Sequence, residues 1–234
     1  MWIASFDIGK KNFAFCIEEI DVNLFKKIKP IQVKSRYNSD GTCTEAMEKV
    51  LEKVYENGKL ILHKNLDLTA NCDSKLKLDP ETFHNMNEEL DKYKEYWEKC
   101  DIFLIEEQMS FGKKLNKMAV KLAQHCYSYF TFNYGRFKTI VEFPAYHKTQ
   151  VLGAPKVEGK PYKSGKKRYK AMEKTDRKKW SVEKCIEILT CRGEIDIIEK
   201  MTEKRGRKKA KLDDLADVVV QLQAFKFRTF VEGI

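Results

Sequence analysis

The stretch Trp2-Ile3-Ala4-Ser5-Phe6 is apolar and β-prone, and it runs directly into Asp7. A strand buried on both faces is the simplest structure for such a run, so the fold must bring a carboxylate to the end of a buried strand. Burying an unpaired ionised carboxylate costs on the order of several kcal/mol, and a metal ion is an economical way to offset it. Gly9 suits a tight turn in which the backbone passes close to a ligand, and Phe13, Phe15 and Ile17 then alternate as a returning strand. The plainer alternative is a hairpin whose turn merely contains Asp and Gly, both common turn residues. The pattern recurs, however. Ile102-Phe103-Leu104-Ile105 is a second uninterrupted apolar run, and it ends on Glu106-Glu107-Gln108.

The length of 234 residues suits one domain that buries a substantial core. With 45 Lys+Arg against 35 Asp+Glu, the formal charge is +10. That balance favours a polyanionic partner, nucleic acid before membrane, because no apolar run approaches the ~20 residues of a spanning helix. The N-terminus enters a strand directly, and no secretory signal is expected. Seven cysteines without a CxxC pair point to reduced thiols and away from zinc.

Taken in order, the residues up to about Tyr37 read as strand and polar loop. Thr44 is placed to cap a helix carrying Met47, Val50, Leu51, Val54 and Tyr55 on one face, with Gly58 ending it. Residues 60–63 are the next strand, where His63 reads as an ordinary strand histidine. Asp79-Pro80 starts a helix whose stripe of Phe83, Met86, Leu90, Tyr93 and Trp97 continues at helical spacing. A long helix is expected from 112 to about 133, a strand over 139–143, and a short helix entered through Tyr146-His147-Lys148. Strand and helix alternating in this way indicate an α/β layered domain with a mixed central sheet.

From 156 to 179 there are eleven basic residues against Glu158, Glu173 and Asp176, with no apolar periodicity. This reads as a basic loop, either simply solvated or in contact with a phosphate backbone through counterion release. The candidate backbone contacts are Lys10 and Lys11 beside Asp7, Lys166, Lys167 and Arg168 in the loop, and Lys178 and Lys179 at its end. A second basic cluster, Lys204-Arg205-Gly206-Arg207-Lys208-Lys209, precedes a last helix on which Asp214 and Asp217 are neighbours one turn apart. Like charges at that spacing weaken a helix. An acidic first turn relieved by the macrodipole is the ordinary account, and a shared cation is the other. Asp7, Glu106, Asp214 and Asp217 then form a four-carboxylate set. Oxygen donors of this kind suit Mg²⁺ or Mn²⁺, and an ion pair about 3.5–4 Å apart supports phosphodiester hydrolysis.

The ordered motifs Phe6-Asp7-Ile8-Gly9-Lys10-Lys11-Asn12, Ile105-Glu106-Glu107-Gln108, Lys148-Thr149-Gln150-Val151-Leu152-Gly153 and Asp213-Asp214-Leu215-Ala216-Asp217 resemble those of the RuvC-type Holliday junction resolvases, in particular those of poxviruses and other large DNA viruses. The resemblance implies an RNase H-like fold, read here as a single domain over residues 1–234; a helical insertion at about 39–58 and the basic loop at about 156–179 look longer than the family pattern requires, and their roles are not carried over. It also implies a homodimer that makes paired symmetrical nicks in four-way DNA junctions, in a cytoplasmic or nuclear compartment at sites of viral DNA replication. By position, Asp7, Glu106, Asp214 and Asp217 would hold two metal ions. Lys148 would be the active-site lysine, neutralising charge on the pentavalent phosphate. Glu107 and Asp213 are the adjacent acids that could take the places of Glu106 and Asp214. A ribonuclease H or general nuclease of the same fold, a non-catalytic structure-specific DNA-binding protein, and a basic α/β domain with acidic caps are the competing readings.

Overall fold

The computed structural model describes residues 1–108, 116–162, 164–203 and 212–234. Strands β1 (Trp2–Asp7) and β2 (Phe13–Glu19) pair antiparallel, with Phe6 opposite Phe15 and Asp7 opposite Ala14. Between them the chain turns so tightly that a Cβ on Gly9 would meet the Asn12 carbonyl oxygen at 2.9 Å. A short helix, α1 (Val22–Phe25), follows, with Asp21 Oδ1 accepting from the Asn23 amide at 2.9 Å. A 3₁₀ turn then covers Val33–Ser35. The extended segment expected before Tyr37 is thus replaced by helical turns, because the Asp21 cap offers the backbone a local helical start.

Helix α2 (Glu45–Glu56) begins at the expected Thr44 cap and buries Met47, Leu51, Val54 and Tyr55. Strand β3 (Lys59–Leu66) pairs antiparallel with β2. Asp79 accepts from the Glu81 amide at 2.9 Å to open α3 (Glu81–Asp91). The helix expected to run unbroken to Trp97 is interrupted near Tyr93 and resumes as α4 (Lys94–Trp97). The interruption brings the Trp97 indole back to donate to the Leu90 carbonyl at 2.7 Å.

Strand β4 (Cys100–Glu107), helix α5 (Lys117–Tyr134), strand β5 (Thr139–Pro144) and helix α6 (Tyr146–Val151) come next. The expected start of α5 at 112 lies outside the described residues. The basic stretch is more ordered than a loop. It contains a hairpin of β6 (Val157–Gly159) and β7 (Arg168–Lys170) and the first part of α7 (Lys174–Cys191). A solvated hairpin pairs through its backbone alone, so its side chains need show no apolar alternation. The chain closes with α8 (Ile195–Thr202), α9 (Leu212–Lys226) and a π-helical turn, Phe227–Glu232.

The main sheet has the order β3-β2-β1-β4-β5. β1 runs parallel to β4, and β4 to β5, while β2 is antiparallel to both β1 and β3. Only β2 opposes the other strands, which is the mixed sheet of the RNase H-like fold.

Side-chain alternation divides the core between the two faces of this sheet. Phe6, Phe13, Phe15, Phe103 and Ile105 pack with Trp97, Leu122 and Phe130 of α4 and α5 on one face. The Phe103 and Phe130 rings stack there with centroids 4.1 Å apart. Ile3, Ala14, Cys16, Ile102 and Leu104 pack on the other face with α2, α7 and α9. Each of these large apolar side chains contributes roughly 1.5–3 kcal/mol by burial. The alternation also decides where the acids go. Asp7 follows Ile3 and Ser5, Glu106 follows Ile102 and Leu104, and both therefore project from the face covered by α9.

Candidate active site

Parallel pairing of β1 with β4 puts Phe6 beside Ile105. The next residues, Asp7 and Glu106, emerge together and share a side-chain hydrogen bond. Burial and the neighbouring Glu106 carboxylate push the Asp7 carboxyl well above the usual carboxylate range. Burial acts on Glu106 in the same direction, but the Lys148 ammonium and the hydrogen bond from Asp7 outweigh it and hold Glu106 low. The two carboxyls are thus driven apart, Asp7 toward its neutral form and Glu106 toward its charged one.

Lys148 comes from α6, just beyond β5, and is only 7% exposed. Its Nζ lies 3.1 Å from Glu106 Oε1 and 3.6 Å from Asp217 Oδ2. Burial opposes its charge, but Glu106, Asp217 and Asp7 raise it above the ordinary lysine range, so it keeps its proton at neutral pH.

Helix α9 brings Asp217 across the same face. Two contacts set its position. Gln221 Nε2 donates to Ser5 Oγ at 3.1 Å and to the Phe6 carbonyl at 3.3 Å. His63 Nε2 meets the Leu215 carbonyl at 2.9 Å, and burial pushes the ring down to about 4, so that it is neutral and donates. Ser181 of α7 donates to Asp217 Oδ1 at 2.5 Å, and Lys178, on the same helix, pairs with Asp213. The structure therefore brings together Asp7, Glu106, Lys148 and Asp217. Asp214 lies one turn before Asp217, within electrostatic reach of Lys178. Glu107 projects from the opposite face of β4 and is exposed. Ser181 and Gln221 went unnoticed in the sequence, because a lone hydroxyl or amide within a helix carries no spacing signal.

The basic candidates divide into two groups. Lys10 donates to the Lys77 carbonyl at 2.8 Å and Lys178 is held by Asp213, so both are engaged within the molecule. Lys11, Lys166, Lys167, Arg168 and Lys179 are exposed. Lys167 pairs with Glu158 at 3.2 Å, and the Arg168 guanidinium lies over the Tyr162 ring. The cluster at 204–209 lies outside the described residues.

Among the described residues, no group of three or more His, Cys, Asp or Glu side chains is disposed to hold a metal ion. Of the expected four acids, Asp7, Glu106 and Asp217 gather around Lys148, and Asp214 lies one turn before Asp217. The donor chemistry nevertheless fits a hard divalent cation. The converging side chains all offer carboxylate oxygens, and a cation among them would relieve the repulsion that raises Asp7.

Fold and site together define an α/β protein with an RNase H-like sheet and carboxylates converging at the ends of its two central parallel strands. The chain is 37% identical to the uncharacterized protein 170L of invertebrate iridescent virus 6, over 97% of its own length and 89% of that protein's. It is 32% identical to the uncharacterized protein 97L of invertebrate iridescent virus 3, over 96% and 98%. It belongs to the family of these iridescent virus proteins. No family model matches it. Among solved structures it is similar to the fowlpox virus resolvase in complex with Holliday junction DNA, at 19% identity and TM-score 0.48 over 97% of each chain. It is also similar to Thermus thermophilus RuvC with a Holliday junction substrate, at 11% identity and TM-score 0.48 over 99% and 98%. Among the described residues no helix is long and apolar enough to cross a membrane.

Proposed function

We propose that this protein is a divalent-metal-dependent endonuclease of branched DNA, a Holliday junction resolvase acting as a homodimer. The observation that carries this reading is the hydrogen-bonded Asp7–Glu106 pair on adjacent parallel strands, faced by Lys148 and Asp217. Asp7, Glu106, Asp214 and Asp217 would hold Mg²⁺ or Mn²⁺. Such ions activate a water and stabilise the leaving oxygen in phosphodiester hydrolysis. Lys148, permanently charged and fixed by two carboxylates, is an electrostatic stabiliser of the phosphate and not a proton carrier. The exposed cations of the β6–β7 hairpin and of α7 lie in the chain between Lys148 and Asp217, where they meet the backbone of a duplex arm.

The test is cleavage of a synthetic four-way junction, a linear duplex and an RNA–DNA hybrid, each with Mg²⁺ and with EDTA. Paired symmetrical nicks in the junction alone, abolished by EDTA, are expected. Tight junction binding without product in any divalent metal would instead support a binding module. Cleavage of the hybrid would place the chain with the ribonucleases H.

A further inference from the structure

Helix α7 packs along α9, and two of its residues, Lys178 and Ser181, stand three positions apart on one face. Lys178 draws off Asp213, the acid next to Asp214. Ser181, only 3% exposed, donates to Asp217 Oδ1 at 2.5 Å, while Asp217 Oδ2 faces Lys148 Nζ at 3.6 Å. The two oxygens of this carboxylate are therefore assigned to different neighbours. We propose that Ser181 is a positioning residue, which fixes the rotation of the Asp217 carboxylate so that Oδ2 alone is presented to the candidate site. This rests on the metal-dependent reading above.

The physical case is direct. The terminal torsion of an aspartate is broad and two-fold, so nothing intrinsic fixes which oxygen faces inward. A hydroxyl donating to an ionised carboxylate makes one of the shorter and stronger hydrogen bonds, and here it comes from a neighbouring helix. A buried serine within a helix commonly turns its proton back to its own helix, whereas this one spends it on α9. Helix propensity alone would favour alanine at 181.

Mn²⁺ titration calorimetry on the full chain tests the proposal. It compares wild type, Ser181→Ala, Ser181→Thr, Asp217→Asn and the double variant Ser181→Ala/Asp217→Asn. Ser181→Ala is expected to weaken Mn²⁺ binding about tenfold, the usual scale for a group that orients a metal ligand. Ser181→Thr, which keeps the hydroxyl, should restore it. In the Asp217→Asn background, Ser181→Ala should make no further difference, because its effect passes through Asp217. The metal-free melting temperature should fall by only a few degrees, the scale of one hydrogen bond. Wild-type affinity in Ser181→Ala, losses that simply add in the double variant, or a large fall in melting temperature would each overturn the positioning role while leaving the metal reading intact. Failure of the wild type itself to bind Mn²⁺ would overturn the metal reading and, with it, this proposal.

Discussion

Two clusters of charge occupy opposite ends of one sheet, and α9 reaches both. At the end where β1 begins, Glu18 lies opposite Ile3 and is completely buried. Arg192 grips its two oxygens at 3.0 Å each, Lys226 donates at 2.6 Å and Gln223 at 2.9 Å. Lys226 also donates to the Asn57 carbonyl and to Gln223 Oε1, both at 2.7 Å. Burial would raise Glu18, but Arg192 and Lys226 hold it low. Burial pulls Lys226 down to about 8, which leaves it charged at neutral pH. At the end where β1 stops, Asp7, Glu106 and Asp217 face Lys148, and burial and the neighbouring carboxylates raise Asp7 well above the usual carboxylate range. With Glu194 3.6 Å from Arg192, the first cluster balances two carboxylates against two cations, so it locks helices to the sheet. The second is in deficit of positive charge, which is the arrangement expected of a site built for a ligand.

The contrast predicts opposite responses to the same kind of substitution. Glu18→Gln strands Arg192 and Lys226 in the core and should cost about 3–5 kcal/mol in urea unfolding. A loss within experimental error would show that the network is not closed. Asp7→Asn replaces a carboxyl whose charged form burial and Glu106 disfavour, so metal-free stability should hold or rise, as is common at functional sites. Asp7→Asn and Asp217→Asn should both keep junction binding in a mobility-shift assay and lose cleavage by at least about a hundredfold. Equal loss of binding by both would count against a metal role.

His63 sharpens the comparison, because it joins β3 to the start of α9. Its folded value lies near 4 and its ordinary value near 6.5, so the unfolded chain takes up the proton first as pH falls. The stability due to neutral His63 is complete above about 6.5 and is lost as pH drops toward 4. Unfolding of wild type against His63→Gln across that window checks it, and the gap between them should narrow at the acid end. The smallest effect belongs to the hairpin. Replacing Lys166, Lys167 and Arg168 with Gln should flatten the salt dependence of junction binding by about 0.9 in log–log slope for each phosphate contact removed.

Much of the active end was legible in the sequence because it is local. An apolar run that stops on an acid shows on the page, and so does a pair of aspartates one turn apart on an apolar helix. The parallel register that joins Asp7 to Glu106 was a reasonable expectation for two such strands. The other end was invisible. Glu18 follows Ala14 and Cys16 on the less bulky face of β2 and reads as a solvent-facing position. Its partners Arg192 and Lys226 stand 174 and 208 residues away. The hairpin at 157–170 and the interruption at Tyr93 escaped for another reason. Both are set by backbone pairing and by where Trp97 docks, and neither leaves a periodic trace.

The central claim is that the carboxylates converging around Lys148 form a cation site. Anomalous diffraction from a crystal soaked in Mn²⁺ tests it most directly. The account predicts an anomalous peak at the carboxylates of Asp7, Glu106 and Asp217. Carboxyl groups still hydrogen-bonded to each other, with no anomalous density between them at saturating Mn²⁺, would contradict it.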